Sequence, residues 1–114
     1  MKSICNLEDL EEVDSLEFAL SDGGTEKKCF IVKVRDRIFA YKNCCPHTGA
    51  PLNWQENKFL DLFGLNIQCT LHGALFQIED GLCTWGPCEG QSLKPVDIMV
   101  SNGTVYCTAQ KKAR

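Results

Sequence analysis

Hydrophobic and polar positions alternate in this chain over short runs, and nowhere is a 3.6-residue apolar period sustained. Ser15–Leu20 and Lys28–Val34 are two β-rich runs separated by Asp22-Gly23-Gly24, a tight-hairpin signal. Arg37–Tyr41 follows as a third run, and Ala74–Ile78 and Leu82–Trp85 flank Asp80-Gly81 as a second hairpin. Val96, Ile98 and Val100 alternate with Asp97 and Met99 before Asn102-Gly103 turns the chain into Thr104–Thr108. There Val105 and Cys107 fall on the matching apolar face. Leu7–Leu10 has room for one helical turn, and Lys58–Asp61 and Leu65–Gln68 are placed to pair across Leu62-Phe63-Gly64. The pattern predicts an all-β domain of small antiparallel sheets. The irregular stretches Asn43–Gln68 and Gly86–Ser92, with the segment after Cys69, are expected to gather as loops at one end.

A chain of 114 residues fits one domain spanning 1–114 and buries enough surface to fold without a staple. The net charge of −3, from 15 acidic and 12 basic side chains, argues against a nucleic-acid partner. An acidic protein of this kind is open to steering toward a basic patch on a partner protein. The first dozen residues carry acids where a signal peptide needs an apolar stretch. Runs such as Phe30-Ile31-Val32 and Ile98-Met99-Val100 are too short to cross a bilayer. The expectation is a cytoplasmic protein with no membrane partner. In that compartment eight cysteines point to metal binding for some of them rather than to a disulfide scaffold.

The chemistry lies in Cys45-Pro46-His47-Thr48-Gly49 and Cys69-Thr70-Leu71-His72-Gly73. Each segment offers one thiolate and one imidazole at a spacing that lets both converge on a small object. A glycine after each pair permits the tight backbone that brings amides close. Both histidines of the chain sit in these segments. Four thiolates would suit a plant-type iron–sulfur cluster. Two thiolates with two imidazoles suit either zinc or a 2Fe–2S cluster whose cysteines hold one iron and whose neutral histidines hold the other. The ligand order Cys, His, Cys, His in two matched loops of a β framework favours the cluster, since zinc fingers usually run Cys, Cys, His, His. The candidate ligands are therefore Cys45, His47, Cys69 and His72.

With Ala50-Pro51-Leu52 after the first motif and Ala74-Leu75-Phe76 after the second, the chain resembles the Rieske ferredoxin family. That family includes ferredoxin components of aromatic-ring dioxygenases and small subunits of assimilatory nitrite reductases. The resemblance implies a stack of three small antiparallel sheets, with one 2Fe–2S cluster at the tip of a subdomain spanning roughly residues 43–90. It also implies that Gly86-Pro87 belongs to a proline loop covering the cluster. The function implied is that of a monomeric one-electron carrier, an electron-transfer component rather than an enzyme in its own right. A flavin-containing reductase would supply its electrons, and an oxygenase or other acceptor would receive them. The alternatives are a bound small subunit of a larger reductase, such as a nitrite reductase, and a zinc-stapled binding module. The stretch 48–68 between the motifs is a few residues longer than in typical dioxygenase ferredoxins, which leaves the choice of partner open.

Rieske proteins of respiratory cytochrome bc complexes carry an extra cysteine in each motif and donate serine and tyrosine hydroxyls to the cluster. The matching positions here resemble Ala50 and Leu71 for the bridge, and Ala74 and Phe76 for the hydroxyls. The resemblance therefore implies a low reduction potential. Cys44 reads as an unliganded loop thiol, and Cys88 as a small apolar filler near the covering loop. Cys5, Cys29, Cys83 and Cys107 fall in predicted strands and read as core residues. Trp54 and Trp85 fit equally a docking rim or packing beneath the loops. Leu62-Phe63 suggests an exposed contact site, Glu8–Asp14 a solvated acidic face, and Lys111–Arg114 a basic tail.

Overall fold

Strand β3 (Thr25–Val34) organises the molecule, because alternation along it feeds two separate cores. Phe30 and Val32 point into one hydrophobic cluster and Cys29 and Ile31 into another, and all four are fully buried. This computed structural model describes residues 2–12, 15–22, 25–34, 37–44, 52, 59–60, 66–69 and 73–107. β3 pairs antiparallel with β2 (Ser15–Asp22) on one side and β4 (Arg37–Lys42) on the other. Ile31 lies opposite Ala40 on one face, and Phe30 opposite Tyr41 on the other.

The first face is covered by a sheet in the order β1–β9–β8, comprising Lys2–Asn6, Thr104–Cys107 and Ile98–Ser101. Leu10 of the four-residue helix α1 (Asp9–Glu12) plugs the same core. The Asp9 carboxylate accepts the Asn6 amide at 2.9 Å, a capping arrangement that starts the turn. The second face is covered by β5 (Asn66–Gln68), β6 (Leu75–Gln77) and β7 (Cys83–Trp85), paired in that order. The three antiparallel sheets match the predicted architecture. The hairpin turns also fall as expected: Asn102 and Gly103 both adopt positive φ, 52° and 76°. The expected pairing of Lys58–Asp61 with Leu65–Gln68 is present as a Leu60–Ile67 bridge, with the Gln68 amide on the Phe59 carbonyl. Phe59 stacks on Phe30 at 4.2 Å and 7°, which ties this segment to β3.

One expectation needs correction. The alternation puts Val100 on an apolar face, and it does lie opposite Val105, yet it is 45% exposed. The reason is that β8 pairs with β9 alone and forms the rim of its sheet. Trp54, Leu62-Phe63 and Lys111–Arg114 lie outside the described residues. No described helix is long and apolar enough to cross a membrane.

Tyr41 fastens the second core. Its hydroxyl donates to the Ile78 carbonyl at 2.5 Å. Burial, and then the nearby Asp80 and Glu79 carboxylates, push its pKa up from 10.0 to about 12. The native state therefore holds this proton more tightly than the unfolded chain. The stability it contributes is complete below pH 10.0 and is lost as pH rises toward about 12. Denaturation midpoints of the wild type and Tyr41→Phe are expected to differ at neutral pH and converge across that window. A constant difference would refute the assignment.

Candidate metal centre

Cys69 follows β5 directly, and its thiol is withdrawn from water. The Cys69 amide donates to the Ala74 carbonyl at 2.9 Å, and the Gly73 amide returns to the Cys69 carbonyl at 2.7 Å. These two bonds hold Cys69 against Gly73 and Ala74 at the end of the β5–β6 hairpin, with Gly73 at φ +72°. His72 lies between Cys69 and Gly73 in the sequence, outside the described residues.

The other ligand segment is tied at both ends. The Asn43 side-chain oxygen accepts the Leu52 amide at 2.7 Å, while the Asn43 amide donates to the Lys28 carbonyl at 2.9 Å. Asn43 is buried, and Leu52 is fully enclosed in the same core as Cys69, Ala74 and Cys88. Cys45 and His47 lie between these ties, outside the described residues. Both ligand-bearing loops are thus rooted in one hydrophobic cluster beside sheet β5–β7. Asn43 went unrecognised in the sequence. The available signal was a short polar residue opening a loop, where a side-chain amide commonly bonds to the backbone.

The third wall is the segment after β7. Gly86 adopts φ +116°, and a Cβ there would stand 2.8 Å from both Cα and Cβ of Ala74. Only glycine permits so close an approach between this loop and the second ligand loop. The Gly90 amide donates to the Cys83 carbonyl at 3.0 Å, and the Cys83 amide to the Gln91 carbonyl at 2.8 Å, stitching the loop back onto β7. Inside it the Cys88 thiol meets the Cys83 thiol at 3.2 Å, both buried, in keeping with a packing role for each. Cys44 is exposed, and Cys5 is half-buried rather than a full core residue. Burial and the neighbouring Asp9 carboxylate raise the Cys5 thiol pKa above its ordinary value.

Trp85 resolves a choice that the sequence left open. The pairing of β6 with β7 shifts between Leu75–Trp85 and Phe76–Cys83, so Thr84 is an extra residue in the ladder. The irregularity lies beside a Trp85 side chain that is 60% exposed, with its ring edge 3.7 Å from where a Cβ on Gly73 would sit. Trp85 is therefore a surface aromatic next to the second ligand loop.

The donor set of two thiolates and two imidazoles, with Cys69 buried in a backbone-bonded frame, fits a mixed-ligand iron–sulfur centre. Comparison with known proteins agrees. The family model of the Rieske 2Fe–2S domain matches residues 2–109. Human apoptosis-inducing factor 3 is 32% identical over 111 residues, covering 97% of this chain and 17% of that protein. The chain thus spans about a sixth of the length of this curated relative. The ferredoxin of carbazole 1,9a-dioxygenase from Nocardioides aromaticivorans IC177 superposes with a TM-score of 0.71 at 21% identity. The match covers 96% of this chain and 100% of that one. A ferredoxin solved in complex with the reduced oxygenase of carbazole 1,9a-dioxygenase gives 0.71 at 23% identity, covering 98% and 95%.

Proposed function

The chain belongs to the Rieske 2Fe–2S domain family, and from that premise we propose that it is a one-electron carrier passing electrons from a flavin-containing reductase to an oxygenase or similar acceptor. It holds one 2Fe–2S cluster. Cys45 and Cys69 would bind one iron and His47 and His72 the other, and the bound cluster supplies one-electron oxidation and reduction. The protein works as a monomer in the cytoplasm and exchanges between its partners. The oxygenase complex of the structurally similar ferredoxin supports an oxygenase as acceptor.

One observation carries this reading: the backbone of buried Cys69 is hydrogen-bonded to Gly73, and an exposed aromatic, Trp85, packs over that glycine. Two backbone bonds tie Cys69 to Gly73 and Ala74, and the segment at Gly86 packs directly against Ala74, which supports a well-held position for Cys69. Trp85 offers a flat apolar contact beside the second ligand loop, the kind of residue enriched where proteins dock.

The same frame sets the expected potential. Donors aimed at cluster sulfurs stabilise the reduced, more negative form. Ala74 and Phe76, both buried in this core, carry no hydroxyl to donate. Protein-film voltammetry should therefore show one reversible one-electron wave in the lower part of the range from about −150 to about +300 mV. A wave above roughly +150 mV would overturn the ferredoxin-type assignment, and a colourless zinc-loaded protein with no wave would overturn the function itself.

A further inference from the structure

Four lysines meet in one cleft beside the first ligand loop. Lys27 and Lys28 of β3, Lys42 at the end of β4, and Lys94 line a cavity of about 470 Å³, with Cys44 and Ser92 among the remaining walls. Backbone pairing forces them together. The Lys42 amide donates to the Lys94 carbonyl at 2.9 Å, and the next residue, Asn43, donates to the Lys28 carbonyl at 2.9 Å. These lysines cannot drift apart without breaking the bonds that also anchor the first ligand loop through Asn43. Among the described residues no carboxylate lines the cleft, although acids outnumber bases in the chain by 15 to 12. One-third of its 12 basic side chains are gathered here. Like charges held together repel, and a concave wall focuses their field outward.

The position of the cleft gives that field a use. Cys44 immediately precedes the candidate ligand Cys45, and Ser92 lies on the segment returning from the covering loop. We propose that this lysine cleft is the docking edge for an acidic face of the electron-transfer partner, steering that partner to the cluster-bearing end of a molecule whose net charge is negative. This rests on the carrier function proposed above. A protein face suits the cleft better than a small free anion. Lysines are flexible, strongly hydrated point charges, and they lack the rigid fork by which arginine grips one carboxylate or phosphate. Lys27, Lys28 and Lys94 are exposed, as steering charges must be.

The test measures oxidation of the dithionite-reduced holoprotein by ferricyanide, an anion, and by hexaammineruthenium(III), a cation, from roughly 10 to 300 mM ionic strength. Each oxidant takes one electron from the protein. If the cleft governs approach, the ferricyanide rate falls several-fold as salt rises, and the hexaammineruthenium rate climbs, despite the net charge of −3. The variant Lys27→Glu with Lys94→Glu should reverse both trends. The variant Lys33→Glu with Arg37→Glu, which changes net charge equally at the far end of the β3–β4 hairpin, should not. A hexaglutamate peptide should slow the ferricyanide reaction of the wild type and not that of the Lys27/Lys94 variant. Three results would overturn the proposal: a ferricyanide rate that rises with salt in the wild type, equal behaviour of the two variants, or equal slowing by inorganic phosphate at matched charge. Absence of the cluster's visible absorption from the wild type would instead reject the carrier function, so the two failures are distinguishable.

Discussion

Cys69→Ala is expected to yield a colourless protein, lacking both the visible absorption of the cluster and the EPR signal of its reduced form. Each iron needs two protein donors, and an alanine methyl in the frame closed by the Cys69–Ala74 and Gly73–Cys69 bonds can donate nothing. No exposed thiol can take its place, because Cys69 is enclosed in the core. Alanine at Cys45, His47 or His72 should have the same outcome. Serine at Cys44, which is exposed, or at Cys29 or Cys107, which belong to the opposite core, should leave both spectra unchanged. A colourless Cys44→Ser protein beside a coloured Cys45→Ala protein would show that the ligand assignment is wrong.

Gly86→Ala should be the most damaging methyl addition among the described glycines. The new Cβ would stand 2.8 Å from Ala74 Cα and Cβ, a backbone position and a methyl that cannot swing away as a long side chain could. The residue would also have to hold φ +116°, a conformation that L side chains rarely adopt. Together the backbone penalty and the overpacking cost about 2–4 kcal/mol. That lowers the melting temperature by roughly 10 °C or more. The covering loop would be pushed off the second ligand loop, so cluster loss on standing in air should accelerate as well. Gly90→Ala is the control, since a Cβ there meets nothing within 4 Å while φ is also positive at +92°. Calorimetry showing equal losses for the two variants would remove the close approach as the cause.

Local signals carried much of the fold. The β2–β3, β6–β7 and β8–β9 hairpins were legible because alternation and turn residues lie within one short window. The pairing of β1 with β9, Lys2 opposite Cys107, was not legible, because nothing local in either strand names so distant a partner. The candidate ligands stood out by residue type and spacing, whereas their supports did not. Asn43 reveals its tether only once Leu52 is known to return beside it. The exposure of Trp85 lies beside a ladder irregularity at Thr84 that no alternation pattern discloses. Charge misleads most. A net value of −3 suggests an acidic carrier, yet pairing between segments as remote as Lys42 and Lys94 concentrates positive charge beside the ligand loop.

The division of the interior by sheet β2–β3–β4 bears on how the cluster is installed. Cys69, Leu52, Ala74 and Cys88 all belong to the core on one side of that sheet. Leu10, Ile31, Val105 and Cys107 belong to a core on the other side that does not include Cys69, the described candidate ligand. An apoprotein therefore keeps a complete hydrophobic base when its ligand loops are empty, with β3 as the wall between the two halves. Cluster insertion becomes a local folding event on a finished platform. A scaffold delivering iron and sulfide meets two tethered loops rather than an unfolded chain.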